Sequence, residues 1–165
     1  MSTTRLFLIS LIVLLCDQAS KILAEIFLSS LSTLAIIRGF FHLTLVHNKG
    51  AAFGFLKGGT YLFIIVTFFF LIAIISLLKN KQLFFKIFGL DSHDRTVRFA
   101  LGLIFGGACG NLMDRLRFSY VIDFLDFRVW PVFNLADSAI TIGGLLIFYK
   151  MLKKTPHKEI EHRSI

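Results

Sequence analysis

Asp123 and Asp137 have 13 residues between them, Trp130-Pro131 included, a dipeptide that can fold the chain back on itself. Over residues 121–130, Val121, Leu125, Phe127 and Val129 share one parity, while Asp126 and Arg128 share the other. Asp123 falls on the apolar parity, so a strand here would aim its carboxylate inward among hydrophobic side chains. Asp137 follows Asn134 by three residues, the spacing of a helix start in which Asn134 caps and Asp137 sits in the first turn, where a carboxylate suits the helix dipole. Taken alone, Asp137 reads as a cap residue. Taken as a pair, the two carboxylates in a low-dielectric site cannot both ionise, so one keeps a proton while the other takes one from water. That arrangement hydrolyses peptide bonds: the water attacks the carbonyl, and the acid partner protonates first the carbonyl oxygen and then the leaving amine. Asp126 is the weaker candidate because it shares its parity with Arg128, a ready ionic partner.

Other constellations have structural explanations beside their functional ones. Asp17, Lys21 and Glu25 recur at four-residue spacing, hence on one helical face, with Gln18 beside them. They read as a membrane-boundary ion pair or as part of a binding site. Gly102, Gly106 and Gly110 repeat at the same spacing and favour close helix packing, and Asn111 and Asp114 continue that face. The adjacent Arg115 makes a salt bridge or lipid-headgroup contact the simplest expectation for Asp114. No His-Glu-x-x-His, Cys-x-x-Cys or Gly-x-Ser-x-Gly occurs, and Ser20 directly precedes Lys21, so the two do not share a helix face. Protein-ligated metal, nucleophile-elbow and serine–lysine chemistries are all disfavoured. Cys16 and Cys109 lie inside apolar segments and read as small core residues rather than a disulfide.

The elements that must position these residues are hydrophobic. Of 165 residues, 56% are hydrophobic and 20 are Phe, which points to a single membrane-embedded domain. Four segments approach the roughly 20 residues needed to cross a bilayer: 6–28, 61–78, 99–113 and 133–152. With both termini cytoplasmic, eleven Lys and Arg lie inside and six outside, and Lys21 lies within the first span. The net charge of +8 is therefore an orientation signal rather than a nucleic-acid footprint, and the aspartate-rich stretch is extracytoplasmic. Two outer segments read as strands. Phe41, Leu43 and Leu45 alternate with His42 and Thr44 before an Asn48-Lys49-Gly50 turn, and the other is 121–130. The tail from Thr155 reads as a solvated end.

Five motifs, in this order, resemble the bacterial signal peptidase II family, the lipoprotein signal peptidases. They are Asp17-Gln18-Ala19-Ser20-Lys21, Asn48-Lys49-Gly50-Ala51-Ala52-Phe53-Gly54, Gly110-Asn111-Leu112-Met113-Asp114-Arg115, Val121-Ile122-Asp123-Phe124 and Phe133-Asn134-Leu135-Ala136-Asp137. The resemblance implies a mainly α membrane protein with four transmembrane helices, a small extracytoplasmic β platform and a short interfacial helix. It implies an aspartyl endopeptidase of the bacterial inner membrane that cuts prolipoproteins just before a diacylglyceryl-modified cysteine, with Asp123 and Asp137 as the dyad. By motif position, Asn111, Arg115 and Asn134 would line the site, and Asn48 and Gly54 would contact substrate from the platform. Asp17 and Lys21 would brace the site, and Asp114 is expected in support. The chain is expected to act as a monomer, without metal or other cofactor, its partners being prolipoproteins and membrane lipids and not nucleic acid.

Two further readings belong to other classes. A small proton-coupled transporter or channel subunit would relay protons through Asp17, Asp114 and Asp137 and needs acids spread through membrane depth, whereas spans two and four lack them in their middles. A scaffold subunit explains the glycines but not the parity of Asp123.

Overall fold

The computed structural model describes residues 3–50 and 59–153. Among the described residues, four helices are long and apolar enough to cross a bilayer: α1 (Thr3–Leu28), α2 (Thr60–Lys79), α4 (Arg95–Phe118) and α5 (Leu135–Leu152). Between the second and third lies α3 (Lys81–Phe88), eight residues capped by Asn80 and closed by Gly89 in the left-handed region at φ 63°. α2 has apolar side chains on nearly every face, and Leu62, Ile65, Val66, Phe68 and Phe69 are all exposed, which is favourable only against lipid.

α4 is the central helix, touching α1, α2 and α5. Its glycines permit the approach. A Cβ on Gly106 would lie 2.5 Å from the Ser10 carbonyl oxygen, and one on Gly107 would lie 2.5 Å from that of Ala136. The expected packing role of this stripe is what the helices display, and the Ser10 hydroxyl adds a hydrogen bond to the Gly102 carbonyl at 3.0 Å.

α4 is longer than the expected 99–113 span because charge does not end it. Arg98 is buried near the helix start, where its Nε donates to the Ser92 carbonyl at 2.8 Å. Arg115 and Arg117 lie in the last turn, where cations suit the dipole. The other spans shift by smaller amounts: α1 begins at Thr3, α2 gains a residue at each end, and α5 begins at Leu135 rather than 133, after the Asn134 cap. Cys16 is exposed and Cys109 half-buried, so Cys16 corrects the expectation of a core residue; both are free thiols.

At one end of the bundle sits an antiparallel sheet of β1 (Thr33–Ile37), β2 (Phe41–Asn48) and β3 (Val121–Asp126), in that order. β2 matches its expected strand, β3 ends at Asp126, short of the expected 121–130, because Arg128 reverses the chain at φ 65°, and β1 is an additional edge strand joined to β2 by a turn with Gly39 at φ 76°. Ala24, Leu28 and Phe124, with Leu43, Leu45 and Leu125, pack the sheet onto the end of α1. At the opposite end Leu6, Phe84, Leu90, Val97 and Leu101 form a second core that seats α3. There Lys150 bridges Asp94, the α4 cap, at 2.7 Å. The first and last helices therefore both have their outer ends away from the sheet.

Candidate active site

Asn134 is where the site begins. Its side-chain oxygen accepts from the Asp137 backbone N–H at 2.9 Å, and the Asp137 carboxylate accepts from the Asn134 N–H at 3.2 Å, a reciprocal capping box that starts α5. The expected cap is thus present, and it does more than start a helix. The Asn134 side-chain amide also donates to Asp123 Oδ1 at 2.7 Å and to Asn111 Oδ1 at 3.0 Å. One residue joins both aspartates.

Each carboxylate has a second amide partner. Asn48, the last residue of β2, donates to Asp123 Oδ2 at 2.9 Å, and Asn111 donates to Asp137 Oδ1 at 2.8 Å. Asp123 is 2% exposed, but strand parity does not account for this, because β3 is covered on both faces and Asp126, on the other parity, is buried too. Burial, opposed by the Asn48 hydrogen bond and reinforced by the nearby Asp137 charge, pushes the Asp123 carboxyl up to about 7. Asp126, one parity away, behaves differently. Burial raises its carboxyl, but hydrogen bonds from the Thr44 hydroxyl and the Arg128 N–H, with the Arg128 charge, hold it below its ordinary value.

Beneath the pair lies a layer of charge. Lys21 Nζ is 2.8 Å from Asp17 Oδ2, 2.8 Å from Asp114 Oδ2 and 3.0 Å from Asn111 Oδ1, so its three donors are all used. Asp17 Oδ1 accepts from the Ala136 N–H at 2.9 Å, pinning the first turn of α5 to α1. Asp114 accepts from Gln18 at 2.8 Å and from the Ile122 N–H at 3.2 Å, pinning the start of β3. Asp114 therefore pairs with Lys21 rather than with Arg115, correcting the simplest expectation from sequence. Neighbours on a helix diverge by about 100°, and only the distant lysine reaches the buried face. Glu25 likewise leaves the Lys21 cluster and pairs with His47 at 2.6 Å. Arg115 instead donates to the Asn111 carbonyl at 3.3 Å and lies over the Phe63 ring, 5.0 Å from its centroid.

A cavity of about 200 Å³ opens between the sheet and the helix ends, lined by Asn48, Asn111, Arg115, Asp123 and Asp137, with Gly50, Val121 and residues 130–133 completing its wall. The structure thus brings Asn48, Asn111, Arg115, Asn134, Asp123 and Asp137 together, and sets Asp17, Lys21 and Asp114 directly behind them. Gly54 lies outside the described residues. Sequence reasoning missed Phe63 under Arg115 and the Trp130, Val132 and Phe133 wall. Only the Trp130-Pro131 turn signal bore on that wall. Two carboxylates on one cavity wall, one of them with its carboxyl pushed up to about 7, can perform general acid and base steps on a carbonyl.

Four membrane-length helices among the described residues, with a carboxylate-lined cavity at one end of the bundle, define a multi-pass membrane protein. The family model for signal peptidase (SPase) II matches residues 9–153, and the chain belongs to that family, a family of proteases that remove signal peptides from prolipoproteins. The chain is similar to the lipoprotein signal peptidase of Halothermothrix orenii, 48% identical over 144 residues covering 87% of this chain and 92% of the relative. It is also similar to that of Pelotomaculum thermopropionicum, 40% identical over 159 residues covering 96% and 99%. A solved chain described as a bacterial membrane enzyme, determined by the in meso method, superposes with a TM-score of 0.75 at 30% identity, covering 98% of this chain and 96% of that one. A second of the same description gives 0.73 at 32% identity, with coverages of 93% and 96%.

Proposed function

We propose that this protease removes the signal peptide from diacylglyceryl-modified prolipoproteins, cutting just before the lipidated cysteine, by water activation between Asp123 and Asp137. The observation that carries this reading is the placement of both carboxylates on one cavity wall, joined through Asn134. Asp137, in the first turn of α5 and on the same cavity wall, is the partner that takes a proton from water, since Asp123 holds the other. Asp123, with its raised carboxyl, holds the other proton and gives it to the carbonyl oxygen as the water oxygen bonds to the carbon. Collapse of the tetrahedral diol breaks the C–N bond as the proton gained by Asp137 passes to the amine, and one hydroxyl proton of the diol returns to Asp123 as the carbonyl reforms. Arg115, fixed over Phe63, places a cation at the same wall, where it can steady the developing oxyanion.

The membrane position fits the substrate. A lipid-modified signal peptide is itself a spanning helix whose acyl chains sit in the leaflet, so it reaches this cavity by moving within the bilayer. In this reading the sheet end lies at the extracytoplasmic face of the bacterial inner membrane, a side that the Lys and Arg distribution favours, and the chain acts as a monomer. The test is to incubate the purified protein with lipidated and unlipidated forms of one lipobox peptide. Cleavage of the lipidated form alone, before its cysteine, is expected; equal cleavage of both forms, or of neither, contradicts the proposal.

A further inference from the structure

The wall of the cavity runs into a loop whose tip is exposed. Between Asp126 and Phe133 the chain makes a narrow-necked loop, and the neck is firmly held. Leu125 and Phe133 exchange backbone hydrogen bonds at 2.8 and 3.0 Å. Phe127 stacks on Phe133 with ring centroids 5.9 Å apart and packs on Phe41 at 4.9 Å. Arg128 reverses the chain at φ 65°, its N–H on Asp126 and its guanidinium on His42. Beyond this braced neck stand Val129, 89% exposed, and Trp130, 64% exposed.

A rigid loop with two large apolar side chains at its outermost point is unfavourable in water. Its surroundings indicate a different medium. Trp130 lines the same cavity as Asp137, in the first turn of α5, and Arg115, in the last turn of α4. It therefore stands at the height of the helix ends, where a bilayer crossed by those helices has its headgroup boundary and where Trp is favoured. The apolar surface continues from the neck: the exposed Phe40 ring meets Phe127 edge-on at 5.6 Å.

We propose that Val129 and Trp130 form a lip seated in the outer boundary of the bilayer, and that Trp130 contacts the glyceride and upper acyl chains of the substrate as its cysteine enters the cavity. This rests on the proposed function, since it assigns the lipid part of that substrate to one wall of the same site. A tryptophan with one face to the membrane and one to the catalytic space suits a ligand whose lipid stays in the leaflet while its peptide enters water.

Trp130 is the sole tryptophan of the chain, so its fluorescence reports on the lip directly. The protein, reconstituted in phosphatidylethanolamine and phosphatidylglycerol vesicles, is probed with phospholipids brominated near the carbonyl or the methyl end of their chains, and with aqueous iodide. Strong quenching by carbonyl-end bromines and weak quenching by iodide are expected. Quenching by iodide alone, or shielding that depends on protein concentration and not on brominated lipid, overturns the membrane seat. In cleavage assays Trp130→Ala should raise KM for a diacylglyceryl peptide about tenfold, with a smaller change in kcat, and Trp130→Phe should restore most of it. An unchanged KM in Trp130→Ala overturns the substrate contact. Failure of the dyad assignment reads out separately, as cleavage surviving Asp123→Asn and Asp137→Asn while the quenching pattern stays the same.

Discussion

Asn134 bridges the two aspartates with different parts of itself: the side-chain amide holds Asp123 at 2.7 Å, and the backbone N–H holds Asp137 at 3.2 Å. The residue that starts α5 therefore also sets the separation of the pair. Replacing Asn134 with Ala removes the cap, at a cost of about 1 kcal/mol, and takes from Asp123 one of its two amide donors, while the backbone N–H on Asp137 remains. Cleavage should fall far more than stability does, by about a hundredfold, as misplaced catalytic groups commonly cause. Parallel measurements of kcat/KM and thermal unfolding check this; equal small losses in both would reduce Asn134 to a cap.

The raised carboxyl of Asp123 predicts two pH dependences. Its value of about 7 lies above the ordinary aspartate range near 4, so between those limits the folded chain holds a proton that the unfolded chain has lost. The stabilising contribution of Asp123 is thus complete below about pH 4 and is lost as pH rises to about 7. Asp123→Asn should flatten the slope of melting temperature against pH across that window. Activity should fall as pH rises through about 7, where the acid partner loses its proton, the observed value belonging to the pair. A rate still climbing well above that pH would contradict the acid role of Asp123.

How much of this was legible in the sequence depends on the range of each interaction. The Asn134–Asp137 cap followed from helix-start spacing, which is local; strand parity separated Asp123 from Asp126, yet both are buried, because β3 is covered on both faces. β1 was missed because Thr33–Ile37 is short and apolar on both faces, with no alternation to mark it. The true length of α4 was hidden because a buried Arg98 with a carbonyl partner looks, in sequence, like a charge that ends a span. The Lys21–Asp114 pair joins residues far apart in the chain, so Asp114 was assigned to its neighbour Arg115 instead. That Asn134 touches Asp123, Asn111 and Asp137 together required the sheet and the helix ends to be placed first.

Lys21 is 1% exposed and neutralises two buried carboxylates. Lys21→Met leaves both uncompensated and should destabilise the protein by about 3–5 kcal/mol, seen as a large drop in melting temperature in detergent. Adding Asp17→Asn and Asp114→Asn to that variant should recover part of the loss, because it removes the unpaired charge. No recovery would indicate that packing of the lysine stem, rather than charge, dominates.

Two glycines form a controlled comparison. Gly107 faces the Ala136 carbonyl so closely that Gly107→Val must push the first turn of α5, and Asp137 with it, away from α4. Gly144 has open space where a Cβ would go. Gly107→Val should lower kcat/KM at least tenfold, whereas Gly144→Ala should retain activity and change stability by no more than about 1 kcal/mol in the stabilising direction. Similar behaviour of the two variants would separate the glycine stripe from the geometry of the site.

The most direct test replaces each carboxylate by its isosteric amide and follows cleavage of a lipidated lipobox peptide. Asp123→Asn and Asp137→Asn should each abolish product formation while the membrane-extracted proteins keep their helical content and unfold cooperatively. Cleavage at an undiminished rate in either folded variant would contradict the two-carboxylate account.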